Sequence, residues 1–191
     1  MNYGIAIFGL NGGGKSTLSH MLYKILNFYE IDVEDYYFPE QKTSRLNALE
    51  NKKIIPTEHL GELPFSLPRT KNEVEISILK DIYLYPNFIL SSVTMDWNEE
   101  ILSRINIAFH MQTPLKNRLE RIQKREEKRF GARVTQGGDM YEQQINFLDI
   151  VAKRSEKSLM KSISGLSCPI INIDGTLPIS EELSIVISNI F

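Results

Sequence analysis

Cysteine occurs once in the 191 residues, at Cys168, so no disulfide can form within the chain. That single thiol suits a reducing compartment, and a cytoplasmic location is expected. Excess charge of one sign is also missing. The formal net charge of −2 argues against a dedicated nucleic-acid binder or a membrane-surface binder. No apolar run approaches the ~20 residues that cross a bilayer, and no basic-then-apolar leader precedes the first apolar run. No internal repeat or low-complexity tract is present. Histidine is scarce: His20, His59 and His110 show no metal-ligand spacing among themselves and are expected to be structural or superficial. What these absences leave is an ordinary globular composition, with enough chain for one domain and a stable core.

What is present begins at residue 9. Gly9-Leu10-Asn11-Gly12-Gly13-Gly14-Lys15-Ser16-Thr17 matches G-x-x-x-x-G-K-[ST], a phosphate-binding loop. Tyr3 to Phe8 before it reads as a short buried strand. Leu18, Met21, Leu22, Ile25 and Leu26 after it recur at helical spacing. Strand, glycine loop and helix are the setting such a loop needs. Glycines accept positive φ and let backbone N–H groups curl around an anion, and the helix N-terminus adds partial positive charge. Residues Asn11, Gly12, Gly13, Gly14, Lys15, Ser16 and Thr17 are expected to hold a nucleotide, with Lys15 at the β- and γ-phosphates and Ser16 on Mg²⁺.

Further along, Ile31-Asp32-Val33 reads as a second strand, with Glu34, Asp35, Tyr36 and Tyr37 at its C-terminal end. That end of an open α/β sheet faces the ligand crevice, so Asp35 is a candidate general base or metal-shell acid; a solvated turn acid is the plain alternative, and Glu34 and Asp32 are weaker candidates. Residues 39–72 are irregular and carry Pro39, Pro56, Pro64 and Pro68, with a weak helical hint around Leu46 and Leu49. A long insertion of this kind is expected to cover the acceptor. Arg69 within it is a candidate anion partner or a lone surface arginine. Asn72 to Tyr85 reads as a helix capped by Asn72 and Glu75, then Phe88 to Val93 as a third strand. Asp96 lies past that strand, where Ser91, Ser92 and Thr94 occupy the places a magnesium-binding acid usually takes. The metal-shell acid therefore stays open between Asp35 and Asp96.

Ile105 to His110 is a fourth strand, and Thr113 with Pro114 opens a helix. Arg118, Arg121, Arg125 and Arg129 form a stripe along it, and Arg133 follows the Phe130-Gly131 break. Arginine forks match phosphate geometry, although Glu120, Glu126 and Glu127 also permit a solvated charged face. Asp139 and Glu142 are expected to cap the next helix, whose stripe is Tyr141, Ile145, Leu148 and Ala152. Arg154 on that helix is a second candidate substrate contact. Residues 125–138 thus describe a basic, glycine-bounded lid in which Arg125, Arg129 and Arg133 serve catalysis and Arg125 also holds nucleotide. Pro169 to Ile173 is a fifth strand. Gly175 in the turn beyond it is placed to line a base pocket through its backbone.

Together Gly9–Thr17, Asp35-Tyr36-Tyr37, Arg118–Arg133 and Ile171-Asn172-Ile173-Asp174-Gly175-Thr176 resemble the nucleoside- and nucleotide-kinase branch of the P-loop proteins. The strand-two acid looks like that of uridine-kinase-type enzymes, where it serves as base. The arginine segment looks like the lid of adenylate-kinase-type enzymes. The run from Arg125 to Tyr141 is also similar to a bacterial group of uncharacterised P-loop ATPases or kinases. The resemblance implies an α/β three-layer fold, a five-stranded parallel sheet in the order 2-3-1-4-5, ATP with Mg²⁺, and an acceptor segment after strand two. Residues 39–70 match neither enzyme type, so the acceptor stays open. The expected activity is phosphoryl transfer to a small molecule such as a nucleoside or nucleotide, by a monomer or homodimer. A nucleotide-dependent switch or ATPase on a protein partner is the alternative. No [NT]-K-x-D run follows a strand, which disfavours guanine as the base read by such a switch.

Overall fold

The computed structural model describes residues 2–50, 52, 63 and 65–190. Pro56, Pro64 and His59 lie outside the described residues. Five strands build one sheet: β1 Tyr3–Phe8, β2 Tyr29–Asp32, β3 Asn87–Ser92, β4 Ile105–Gln112 and β5 Ile170–Asp174. Their order is β2-β3-β1-β4-β5, and every neighbouring pair is parallel. The expected topology is therefore the observed one.

Helices cover both faces, and strand alternation explains why. Along β1, Ile5 and Ile7 point into one core and Ala6 and Phe8 into the other. The first core is closed by Leu18 and Leu22 of α1 (Lys15–Leu26) and Val186 of α9 (Ile179–Ile190). The second takes Val33 of α2 (Val33–Tyr37), Val74, Ile78 and Ile82 of α4 (Lys71–Leu84), and Ile101 of α5 (Glu99–Leu102). Between α2 and α4 lies α3 (Lys42–Leu49). Beyond β4 come α6 (Leu115–Phe130), α7 (Tyr141–Lys153) and α8 (Glu156–Ser162).

Several local expectations shift. The second strand starts at Tyr29 and ends at Asp32; Val33 already opens α2, with Asp32 Oδ1 accepting the Glu34 N–H at 3.1 Å as its cap. Asp35 therefore sits on a helix, not at a strand end. The cap of α4 is Thr70, two residues before Asn72: Thr70 Oγ1 accepts from the Glu73 N–H, and Glu73 Oε2 accepts from the Thr70 N–H at 2.8 Å. Thr113 does not cap α6, whose N-cap is Pro114; its hydroxyl instead donates to the Gly13 carbonyl at 3.1 Å. Asp139 does not cap α7 but accepts from Arg133. The buried face of α7 carries Gln144 and Val151, while Ile145 is exposed. Between α6 and α7, Phe130, Val134 and Met140 form a third small cluster against Leu63 and Phe65. No described helix is long and apolar enough to cross a membrane.

Candidate active site

The loop between β1 and α1 sits at the C-terminal edge of the sheet's centre, the usual crevice of an open α/β fold. Its backbone is held from outside. Gly12 has φ +79°, and a Cβ there would fall 2.4 Å from the Arg118 carbonyl oxygen. Arg118 is buried and donates from Nη1 to the Asn11 carbonyl at 3.3 Å and from Nε to the Thr113 carbonyl at 3.1 Å. The first arginine of the stripe thus braces the loop and does not face an anion. On the other side Gly175 approaches so closely that a Cβ would lie 2.1 Å from Thr113 Oγ1 and 2.9 Å from the Gly13 carbonyl oxygen. Its N–H is taken by the Gln112 carbonyl at 2.8 Å. Gly175 therefore props the loop and is not among the residues lining the crevice.

In front of the loop lies a cavity of about 1540 Å³, lined by residues 10–17 and by Asp32, Glu34, Arg121, Arg125, Arg129 and Arg154, among others. A single small-molecule site occupies roughly 300–1,000 Å³, so the space suits two ligands side by side. Lys15 is buried at the cavity floor and donates to the Leu10 carbonyl at 3.2 Å. Burial pulls its ammonium down to about 8, with Arg125 and Arg154 adding to the fall against Asp32 and Glu34. Arg154 Nη1 reaches the Asn11 side-chain oxygen at 2.5 Å, over the top of the loop.

The acids at the end of β2 divide by direction. Helical spacing turns Asp35 and Tyr36 away from the cavity: Arg45 of α3 grips Asp35 through Nε at 2.7 Å and Nη2 at 2.5 Å, and the Tyr36 hydroxyl donates to Asp81 at 2.6 Å. Asp35 does not line the cavity; Asp32 and Glu34 do. Asp32 is 4% exposed, and among the described residues its Oδ2 accepts no hydrogen bond, Arg45 Nη1 being the nearest cation at 3.5 Å. It pairs in register with Ser91, whose buried hydroxyl also has no partner among the described residues. Burial raises the Glu34 carboxyl above the usual range; Asp32 adds to this, and Arg125 and Arg129 oppose it.

Among the arginines of α6, Arg125 lines the cavity and is held by Glu126 at 2.6 Å; burial works against its charge, but Glu126 and Glu34 outweigh it. Arg129 is 2% exposed and lies against the Phe65 and Phe130 rings. Its Nη1 stands 3.8 Å from Glu34 and 3.7 Å from Glu126, and its Nη2 has no hydrogen-bond partner among the described residues. Arg133 faces outward to a bidentate contact with Asp139 at 2.8 and 2.9 Å, away from the cavity. Arg69 is exposed and also outside it. Asp96 lines the rim, where Lys71 at 3.2 Å and the Thr94 hydroxyl at 2.6 Å hold it. Glu182, which the sequence did not single out, lines the cavity near Leu177 and Ile179.

No family model matches the chain. An uncharacterised protein of Bacillus subtilis strain 168, YqaC, is 26% identical, the match covering 96% of this chain and 94% of that one. Among solved structures, a sugar kinase from Janibacter sp. HTCC2649 superposes with a TM-score of 0.55 at 13% identity, over 98% of this chain and 94% of its own. Deoxyadenosine kinase from M. mycoides with bound dATP gives a TM-score of 0.52 at 15% identity, over 97% and 98%. The fold is the P-loop nucleoside- and nucleotide-kinase-like fold.

Proposed function

We propose that this protein is an ATP-dependent kinase that transfers the γ-phosphoryl group to a hydroxyl of a small molecule, a nucleoside or nucleotide being the best-fitting class. One observation carries the reading. A braced phosphate loop with Lys15 opens into the same cavity as Glu34, Asp32, Arg125 and Arg129, and that cavity has room for two ligands. The fold's kinase neighbours agree with it.

The residues fit a triphosphate with a divalent ion. The loop is a cradle in which a side chain at Gly12 would strike the Arg118 backbone. Asp32 offers a buried oxygen without a hydrogen bond among the described residues, and Ser16 lines the same cavity. Ser16 would ligate Mg²⁺, and Asp32 would hold its water shell. When bound, the ion neutralises charge on the β- and γ-phosphates. Asp32 thereby supplies from β2 the acid that β3 lacks at Ser91.

For the acceptor, the β2 side of the cavity offers Tyr37, Phe38, Phe65 and Trp97 as walls for a flat ring. Glu34 takes the proton of the acceptor hydroxyl as its oxygen bonds to phosphorus and the bond to ADP breaks. A carboxylate raised by burial is a better base for this task than an ordinary one. Lys15 and Arg125 hold the transferred group in place as charged donors to its developing negative charge. Asp35 keeps a supporting role: with Arg45 it fixes α3 against α2. The test is an acceptor screen that reads ADP release with nucleosides, nucleotides and small alcohols. Turnover that rises severalfold with an acceptor, and a phosphorylated product, is expected. ATP hydrolysis indifferent to every acceptor would overturn the proposal.

A further inference from the structure

The cavity has a second end that this chemistry does not use. Sheet order places β2 and β5 at opposite edges, four strand spacings or about 19 Å apart. The phosphate loop lies between them, after β1. With Glu34 and Asp32 at the β2 side, a nucleotide held by its phosphates in the loop must run toward β4 and β5 to leave the acceptor its place. That end is lined by Arg121 of α6, by Leu177, and by Ile179 and Glu182 from the first turn of α9. The Arg121 guanidinium comes within 3.6 Å of the position a Cβ would take on Gly14. Leu177, Ile179 and a planar guanidinium are surfaces on which a flat base stacks.

Among the described residues, Glu182 is the one acid that lines this end of the cavity. It is 5% exposed, and among the described residues no hydrogen bond or ion pair reaches its carboxyl group. Its carboxyl oxygens open into the cavity, where a ligand can complete their hydrogen bonding. We propose that Glu182 selects the base of the donor nucleotide, its carboxyl group pairing with the adenine edge by accepting from the 6-amino group and donating to ring N1. The inference rests on the kinase reading for the direction in which the nucleotide lies.

The protonation this pairing needs has a physical cause. Burial pushes Glu182 up to about 7; Asp174 at the end of β5 adds to the rise, and Arg121 opposes it. These two are the charged groups that face it. As an acid, Glu182 matches adenine, which presents one donor beside one acceptor. Once ionised it accepts only, which suits the two adjacent N–H groups on the guanine edge. The selectivity for adenine over guanine should therefore be large below pH 7 and shrink above it.

The experiment measures, by titration calorimetry on the full chain, the affinities of the imido analogues of ATP and GTP at pH 6 and pH 8. Lys15 acts on phosphates common to both, so the ratio of affinities isolates the base end. The wild type should prefer the adenine analogue by about tenfold at pH 6 and less at pH 8. Glu182→Ala should bring the ratio close to one. Glu182→Gln, whose amide both accepts and donates, should restore the preference and make it indifferent to pH. Unfolding midpoints confirm that each variant is folded. An unchanged ratio in Glu182→Ala, or a pH-dependent ratio persisting in Glu182→Gln, would overturn the assignment while leaving the kinase reading intact. A wild type that binds neither analogue would overturn both.

Discussion

Asp32 at the end of β2 stands in register with Ser91 of β3, and neither Asp32 Oδ2 nor Ser91 Oγ has a hydrogen-bond partner among the described residues. Two buried oxygens left open beside a phosphate loop form a polar floor, which suits the water shell of the proposed Mg²⁺. Asp35, three residues on, has the opposite character, with both oxygens taken by Arg45.

The first prediction follows from that contrast. Asp32→Asn should leave the fold intact and raise the Mg²⁺ concentration for half-maximal turnover by about 10–100-fold, the usual cost of losing an outer-shell acid. Asp35→Ala should leave the metal dependence unchanged and lower stability by about 3 kcal/mol, because a buried guanidinium loses its closest partner and keeps only the more distant Glu30 and Asp32. Metal titration of activity and urea unfolding separate the two. Altered metal dependence in folded Asp35→Ala would return the metal role to Asp35.

Glu34→Gln should lower kcat by about 10²–10⁴-fold with little change in ATP affinity, as expected for loss of a general base. The sign of the pH effect is fixed. The base works deprotonated, and burial raises its pKa. The acid limb of the kcat profile should therefore lie above the ordinary glutamate range and vanish in the variant. Single-turnover rates across pH 5–8 read both. A limb that persists in Glu34→Gln assigns the proton transfer to another group.

Lys15 yields a prediction about binding. Burial in the folded chain pulls its ammonium down to about 8, from 10.5 for the free side chain. In that window the unfolded chain holds a proton the native chain has shed, so the free protein gains stability from this group as pH rises from 8 to 10.5. Phosphates restore the ammonium, so nucleotide binding should take up about half a proton at pH 8, and more at pH 9, and weaken as pH rises further. Calorimetry in buffers of different ionisation enthalpy measures the uptake. Lys15→Ala should abolish it, with turnover reduced about 10²-fold or more.

The loop and the existence of the strands were legible because each is written locally: a motif with its flanking strand and helix, and short apolar runs ended by polar residues. The sheet order came only from the resemblance to nucleoside and nucleotide kinases, and strand ends moved by a residue or two, as at β2, which spans Tyr29–Asp32. The choice among the acids of residues 32–35 was not. Asp32, Glu34 and Asp35 are equivalent as letters, and only the onset of α2 at Val33 decides which faces the cavity and which meets Arg45. Arg45, thirteen residues beyond Asp32, gave no local signal of its partner. Arg118 read as one more phosphate arginine, yet its carbonyl and guanidinium brace the loop through contacts about a hundred residues apart in the chain. Glu182 could have been noticed as an acid on the apolar side of a terminal helix, since Val186 lies one turn beyond it.

The corner between α6 and α7 supplies the last prediction, because its arginines face different ways. Arg125 and Arg129 line the cavity, whereas Arg133 binds Asp139 in an ion pair that is largely at the surface. Arg125→Ala should lower kcat by about 10²–10³-fold, in line with removal of one charged donor from developing phosphate charge. Arg133→Ala should change kcat little and stability by less than about 1 kcal/mol. The buried trio Phe130, Val134 and Met140 gives the corner its own packing, and the Met140 N–H bonds the Arg133 carbonyl at 2.9 Å. Amide exchange over 131–140 should therefore be slow without nucleotide and change little when the imido analogue of ATP binds. Added protection should concentrate on the loop at 11–17. If 131–138 instead exchanges freely and becomes protected only with nucleotide, the segment closes as a lid. Arg133 must then leave Asp139 to reach the phosphates, and Arg133→Ala would lower kcat more than it raises KM.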